Sequence, residues 1–247
     1  MFIENLRMKL GLNDEYDIQC GYEAGCLGYS LYNQLTAAGV KCVILAPTTM
    51  LTPQGVRIKT DMRDAYMIAQ CLSYGGYHAV YIPTEADDSV KEYLRMRNDH
   101  KLALKKIKQQ INAFCIRHGF CYDGTKWTLA HLNWLKKLEI TNELYRETLD
   151  EYMASYEEQE AKIERYDKRI EEIAEQTKYY DKVKKLKCFL GIKMHTALSL
   201  IVENGDFERF AKGNQYASYL GLAPGENSSS DSIHRLGITK AGNSHLG

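Results

Sequence analysis

The chain has 247 residues, 45% of them hydrophobic, with 32 lysines and arginines balanced by 32 aspartates and glutamates. At roughly 100–200 residues per domain this is one large or two ordinary domains with enough apolar content for a core. Zero formal charge excludes a globally basic nucleic-acid binder but not a local basic face.

Seven cysteines are present, none in a C-x-x-C pair, which points to reduced thiols in a cytoplasmic protein and against a disulfide frame or zinc ribbon. The lone His118/Cys121 spacing lacks a second pair, so packing is the expected role. No apolar run approaches the roughly 20 residues that span a bilayer, and no membrane association is expected. No secretory signal precedes residue 20.

In chain order, Phe2, Ile3, Leu6 and Leu10 suit an amphipathic helix end. Residues 17–23 (D-I-Q-C-G-Y-E) read as a strand, 27–38 as a helix closed by Gly39, and 41–46 (K-C-V-I-L-A) as a buried strand stopped at Pro47. A loop (47–58) leads to a helix at 60–74, then a short strand at 79–82. Alternating strands and helices indicate an α/β domain with parallel pairing. Residues 87–118 read as one long helix stopped by Gly119, followed by an insert holding Trp127 and Trp134.

The clearest periodicity comes next. Tyr145, Leu149, Tyr152, Tyr156, Gln159, Ile163, Tyr166, Ile170, Ile173, Thr177 and Tyr180 alternate steps of four and three. That heptad seam predicts a coiled coil, pairing with the 87–118 helix or with another protomer. Helices at 194–203 and around Tyr216, Tyr219 and Leu220 follow, then a Pro-Gly loop with three serines and a basic, glycine-punctuated end. The expected division is 1–86, 87–185 and 186–247.

The most informative stretch is Lys59-Thr60-Asp61-Met62-Arg63-Asp64-Ala65. Asp61 and Asp64 share one face at a helix start, with Thr60 as the candidate N-cap. The two acids either simply favour the positive end of the helix dipole or converge on a cation. Glu23, ending a strand, is the candidate third carboxylate. The serines at 228–230 are either turn residues or a nucleophile, which needs cations such as Arg235 and Lys240 to steady a phosphate. Gly191-Ile192-Lys193 before a helix is either an ordinary entry or half of a phosphate-cradling turn. The runs at 101–108, 136–137 and 182–187 are the local basic stretches.

Taken together these segments resemble the insertion sequence 110 family of transposases. The resemblance is carried by G-Y-E-A-G-C-L-G-Y-S-L-Y-N-Q-L (21–35), V-I-L-A-P (43–47), K-T-D-M-R-D-A (59–65), V-Y-I-P (80–83) and N-D-H-K-L-A-L-K (98–105). G-D-F-E-R-F (205–210), Y-L-G-L-A-P-G-E-N-S-S-S (219–230) and G-I-T-K-A-G-N-S-H-L (237–246) complete the order. It implies a partial RNase H-like (RuvC-like) DEDD domain, long coiled-coil helices and a small, mainly helical C-terminal transposase domain. Glu23, Asp61 and Asp64 would be three of four acids binding Mg²⁺, and Ser228 or Ser229 the nucleophile. The implied function is DNA strand cleavage and exchange, guided by a bridge RNA that pairs with donor and target DNA. The implied assembly is a nucleoid-associated bacterial or archaeal homo-oligomer.

The first aspartate strand of that family and its last helices have no counterpart in this sequence, so a chain truncated at both ends is expected. Ser230 stands where the family has a glycine. Two other functions stay open: an inactive remnant that binds nucleic acid or intact protomers, and a Mg²⁺-dependent junction nuclease.

Overall fold

β1 (Gln19–Glu23) and β2 (Lys41–Leu45) pair in parallel, with Cys20 opposite Cys42 and Glu23 opposite Leu45. A parallel pair requires a crossover, supplied by α2 (Ser30–Ala37), which follows α1 (Phe2–Leu10) and β1 in the chain. Gly39 turns the chain back at a φ of 76°, and the Val40 amide donates to the Leu35 carbonyl. The strand expected at 79–82 is reduced to one antiparallel bridge, Leu45 to Ala79, flanked by Ala46 N–H to His78 O and Val80 N–H to Ile44 O.

α3 (Asp61–Tyr74) begins at Thr60, whose hydroxyl accepts the Arg63 amide, and ends at Gly75 in the left-handed region. It packs on β1. A Cβ on Gly21 would stand 2.9 Å from Leu45 Cδ1 and 3.0 Å from Leu72 Cδ1, so glycine at this position lets helix and strand approach closely. Leu45, Met50 and Cys71 form the core here, backed by Met67, Ile68, Leu72 and Tyr77.

α4 (Glu85–Arg117) and α6 (Glu143–Ala174) are the two longest helices, with α5 (Leu129–Lys136) between them in the chain. Thr84 and Asn142 cap α4 and α6 by accepting the amides of Asp87 and Tyr145. Asp87 meets Tyr179, Arg97 meets Asp167, and Lys108 meets Glu160, so the chain segments run antiparallel. The heptad seam faces α4 of the same chain as far as Ile173; α6 ends at Ala174, so Thr177 and Tyr180, expected in the seam, fall outside that helix and are exposed. Leu149, Tyr156, Ile170 and Ile173 are buried, and Gln159 Oε1 lies 2.9 Å from His100 Nδ1.

The insert is packed by rings. Trp127 stands edge-on to His131, whose Nδ1 accepts the Trp127 amide, and Lys108 lies over Trp127 and Tyr156. His118 lies against the rings of Phe114 and Tyr145, as expected, whereas Cys121 is exposed and the packing expected of it is not seen.

α7 (Tyr180–Leu186), α8 (Met194–Asn204), a 3₁₀ turn (Phe207–Arg209) and α9 (Gly213–Tyr219) lead to a hairpin of β3 (Pro224–Glu226) and β4 (Arg235–Ile238). α8 packs on α4, α6 and α7. The computed structural model describes residues 2–11, 18–47, 50, 60–226, 234–240, 242–243 and 245–246, in two compact units, Met1–Ile82 and Pro83–Gly247. Among the described residues helix dominates and both sheets are two-stranded, in keeping with a mixed α/β-plus-α class.

Candidate functional site

Glu23 ends β1 as an exposed side chain, and the next amide, Ala24 N–H, donates to Leu45 O. Asp61 is exposed and Asp64 half-buried in the first turn of α3, where the Asp64 amide donates to the Thr60 carbonyl. The helix thus carries both aspartates on neighbouring positions of its dipole-positive end.

Leu72, near the far end of α3, is the residue seated against Gly21. Asp64 is two turns before Leu72, about 12 Å along the axis. Glu23 is two residues beyond Gly21, about 7 Å along the strand. The donor set suits a hard divalent cation, since all three groups offer carboxylate oxygens. In geometry it is open: among the described residues no three His, Cys, Asp or Glu side chains are gathered to hold a metal ion. The structure therefore joins Asp61 and Asp64 on one turn and does not close Glu23 around the same point.

Ser228, Ser229 and Ser230 lie outside the described residues. Their flanks are described. Pro224 pairs with Ile238 and Glu226 with Arg235, an antiparallel pairing that brings the two sides of the serine segment together. This hairpin was not legible in the sequence, because Pro-Gly-Glu is a poor strand former. The return from β4 is stitched down by Thr239 N–H to Ala223 O and Lys240 N–H to Gly221 O. Arg235 and Lys240, the candidate phosphate contacts, are both exposed, and Lys240 takes a φ of 52°.

A second feature is the turn between α7 and α8. Lys184, Lys185, Lys187 and Lys193 are exposed around it. Phe189 is 65% exposed and Leu190 is fully so. Gly191 has a φ of 87°, and the Lys193 side chain does not cap α8. The first-turn amides of α8 have no partner within the helix and can receive an anion. Sequence reasoning singled out Gly191-Ile192-Lys193 but missed Phe189 and Leu190. An apolar pair beside glycine in a lysine-rich stretch was the available signal.

Residues 183–246 match the family model described as the transposase IS116/IS110/IS902 family. Over 86% of its length the chain is 36% identical to the transposase for insertion sequence element IS1533 of Leptospira borgpetersenii, of which it covers 61%. It is 33% identical over 91% of its length to protein y4qE of Sinorhizobium fredii (strain NBRC 101917 / NGR234), covering 55% of that protein. It is 26% identical over 80% of its length to the transposase for insertion sequence element IS1111A of Coxiella burnetii (strain RSA 493 / Nine Mile phase I), covering 56%. The chain spans a little over half the length of the curated relatives it matches. Among the described residues no helix is long and apolar enough to cross a membrane.

Proposed function

Because the chain belongs to the IS116/IS110/IS902 transposase family, we propose that it serves as the transposase of an insertion sequence, cleaving and exchanging DNA strands. The observation that carries this is that one chain holds three acids on β1 and α3 together with a hairpin that closes around a serine segment.

In this proposal β1, β2 and α3 belong to an RNase H-like domain. The parallel pair with its helix crossover supports that assignment, and among the described residues β1 has no strand on the edge away from β2. Glu23, Asp61 and Asp64 would hold Mg²⁺. Such an ion, when bound, neutralises charge and polarises oxygens at a phosphodiester.

The hydroxyl of Ser228 or Ser229 attacks a DNA phosphorus. An Oγ–P bond forms as the bond from phosphorus to one deoxyribose oxygen breaks, and the serine proton ends on the released hydroxyl. The phosphodiester energy is kept in the covalent link, so the reverse attack by another strand's hydroxyl rejoins DNA. Arg235 and Lys240 neutralise the phosphate. The α7–α8 turn offers exposed lysines and free helix amides to the DNA backbone.

Donor and target DNA are the substrates, and a bridge RNA paired to both selects them. The working form is a homo-oligomer in which the acids of one copy meet the serine of another. Since the heptad seam is occupied by α4, assembly engages the outer flank of the α4–α6 pair. The open arrangement of the three carboxylates favours one second reading: a chain that retains nucleic acid or intact protomers without cutting.

The test incubates the chain with Mg²⁺, guide RNA and labelled insertion-sequence end DNA, and resolves products under denaturing conditions. A protein–DNA adduct that survives denaturation is expected. It should vanish in whichever of Ser228→Ala and Ser229→Ala removes the nucleophile, and in Asp64→Asn. An adduct persisting when both serines are replaced defeats the serine assignment. Cleavage without an adduct identifies a junction nuclease, and DNA retention without cleavage identifies the binding role.

A further inference from the structure

The geometry points to Glu203 as a positioning residue: held by Arg95, it anchors Asn243 and thereby the strand return that closes the β3–β4 hairpin around the serine segment. The consequence for catalysis rests on the serine function proposed above; the anchor itself does not.

Glu203 sits in the last turn of α8 with its side chain only 6% exposed. A carboxylate taken out of water is costly unless its oxygens are matched by charged or hydrogen-bonding partners. Both are matched here. Arg95 Nε donates to Oε1 at 2.8 Å and Arg95 Nη2 to Oε2 at 2.9 Å, a planar two-pronged contact that orients the carboxylate. Asn243 Nδ2 donates to Oε2 at 2.9 Å. Burial alone pushes the Glu203 carboxyl up. The hydrogen bonds from Arg95 and Asn243, with the charges of Arg95 and Lys91, outweigh it and hold the carboxyl below its ordinary value.

These contacts tie together segments far apart in the chain: Arg95 is 108 residues from Glu203, and Asn243 is 40. The backbone repeats the link. Tyr219 Oη donates to Glu203 O, and Asn243 N–H donates to Tyr219 O. Gly242 lies so close to Tyr219, Leu220 and Gly221 that any Cβ would collide with their backbone. Lys240 and Thr239 then bond to Gly221 and Ala223, directly before β3. An unbroken path thus runs from α4 through Arg95, Glu203 and Asn243 to both strands of the hairpin. None of its side chains bears the reacting atoms, so its part is to fix where the hairpin stands.

Hydrogen exchange on the full chain tests the anchor, comparing the unsubstituted protein with Asn243→Ala, Glu203→Gln and Arg95→Lys. Asn243→Ala removes only a half-buried side chain and is the variant least able to disturb folding. It is expected to speed exchange at the Thr239 and Lys240 amides about tenfold, the scale of one lost hydrogen bond to a charged group. The α8 amides from Ala197 to Val202 keep their rates. Glu203→Gln should act in the same direction. Arg95→Lys, which keeps charge but not the fork, should fall between it and the unsubstituted chain.

Unchanged protection at 239–240 overturns the anchor, as does an equal loss across α8, which marks general destabilisation. In the adduct assay Asn243→Ala should lower adduct yield with DNA retention unchanged. Faster exchange with undiminished adduct overturns the positioning role. If the unsubstituted chain makes no adduct, the serine assignment fails and the exchange experiment alone decides the anchor.

Discussion

The two compact units differ most in what they bury. Among the described residues the first unit has a cluster of three buried side chains, Leu45, Met50 and Cys71, while the second has clusters of ten and eight. The second is a layered helical body with two-pronged ion pairs, Arg97 to Asp167 and Arg95 to Glu203, at its helix contacts. The first carries the candidate carboxylates on a two-stranded sheet and on the helix α3 packed against it. Since stability follows buried apolar area, the described scaffold that carries the acids is the less stabilised of the two, and the one that carries β3 and β4 the more so.

The sharpest way to break that contrast is a matched pair of truncations at fully buried leucines. Leu149→Ala and Leu45→Ala each remove a side chain with 0% exposure, at a cost of about 3 kcal/mol. The second unit should absorb its loss and stay folded. The first should not. In urea followed by far-ultraviolet circular dichroism, Leu149→Ala is expected to shift the main helical transition. Leu45→Ala should leave that transition in place and instead expose β1 and β2 to proteolysis. A single shared transition moved equally by both would end the distinction.

A smaller effect is expected at the helix that presents the acids. Thr60→Ala removes the hydroxyl that accepts the Arg63 amide and should cost about 1 kcal/mol. Proteolytic nicking near residues 60–66 reads it out. No increase in nicking there would mean that the cap is not what holds the first turn.

The smallest is a pH slope confined to the second unit. Burial, with a lesser contribution from Lys126, holds the His131 imidazole below its ordinary value, and burial with Arg97 and Lys101 does the same at His195. In the unfolded chain these groups take up protons near pH 6.5, while the folded state still excludes them. Their contribution is therefore fully present above the unfolded value and is lost as pH falls toward the folded one. Midpoints measured between about pH 7.5 and 5.5 should decline, and His131→Gln should flatten the decline. A midpoint that rises on acidification would reverse the sign and refute it.

Several element ends are set by local signals in the sequence. Thr60, Asp61 and Asp64 marked the start of α3, and Gly39 and Gly119 the ends of α2 and α4. The four-three alternation from Tyr145 marked α6 and its buried face. Each signal lies within a few turns of backbone, because capping, left-handed glycines and amphipathic periodicity are properties of neighbouring residues.

What the heptad would pair with was not legible, since α4 and a second copy offer the same apolar stripe. Tertiary packing chose α4, through His100 and Arg97 meeting Gln159 and Asp167. The β3–β4 hairpin was equally hidden, because its strands are only three and four residues long, each holds a glycine, and Ile238 is their one strong β-former. Nothing in the sequence singles out Glu203, whose partners Arg95 and Asn243 lie 108 and 40 residues away along the chain.

The sequence by itself determined most of the helical segments and several of their ends, though not α5, α7 or the stop of α6 at Ala174, and it determined which residues are chemically able to bind a cation or attack a phosphate. Only the tertiary structure decided which of those groups meet. It joined Arg95 to Glu203, closed the hairpin around the serine segment, and left Glu23 ungathered with Asp61 and Asp64. The reason is one of distance along the chain: local preferences are set by adjacent residues, whereas contacts across tens of residues depend on how all the buried faces are satisfied at once.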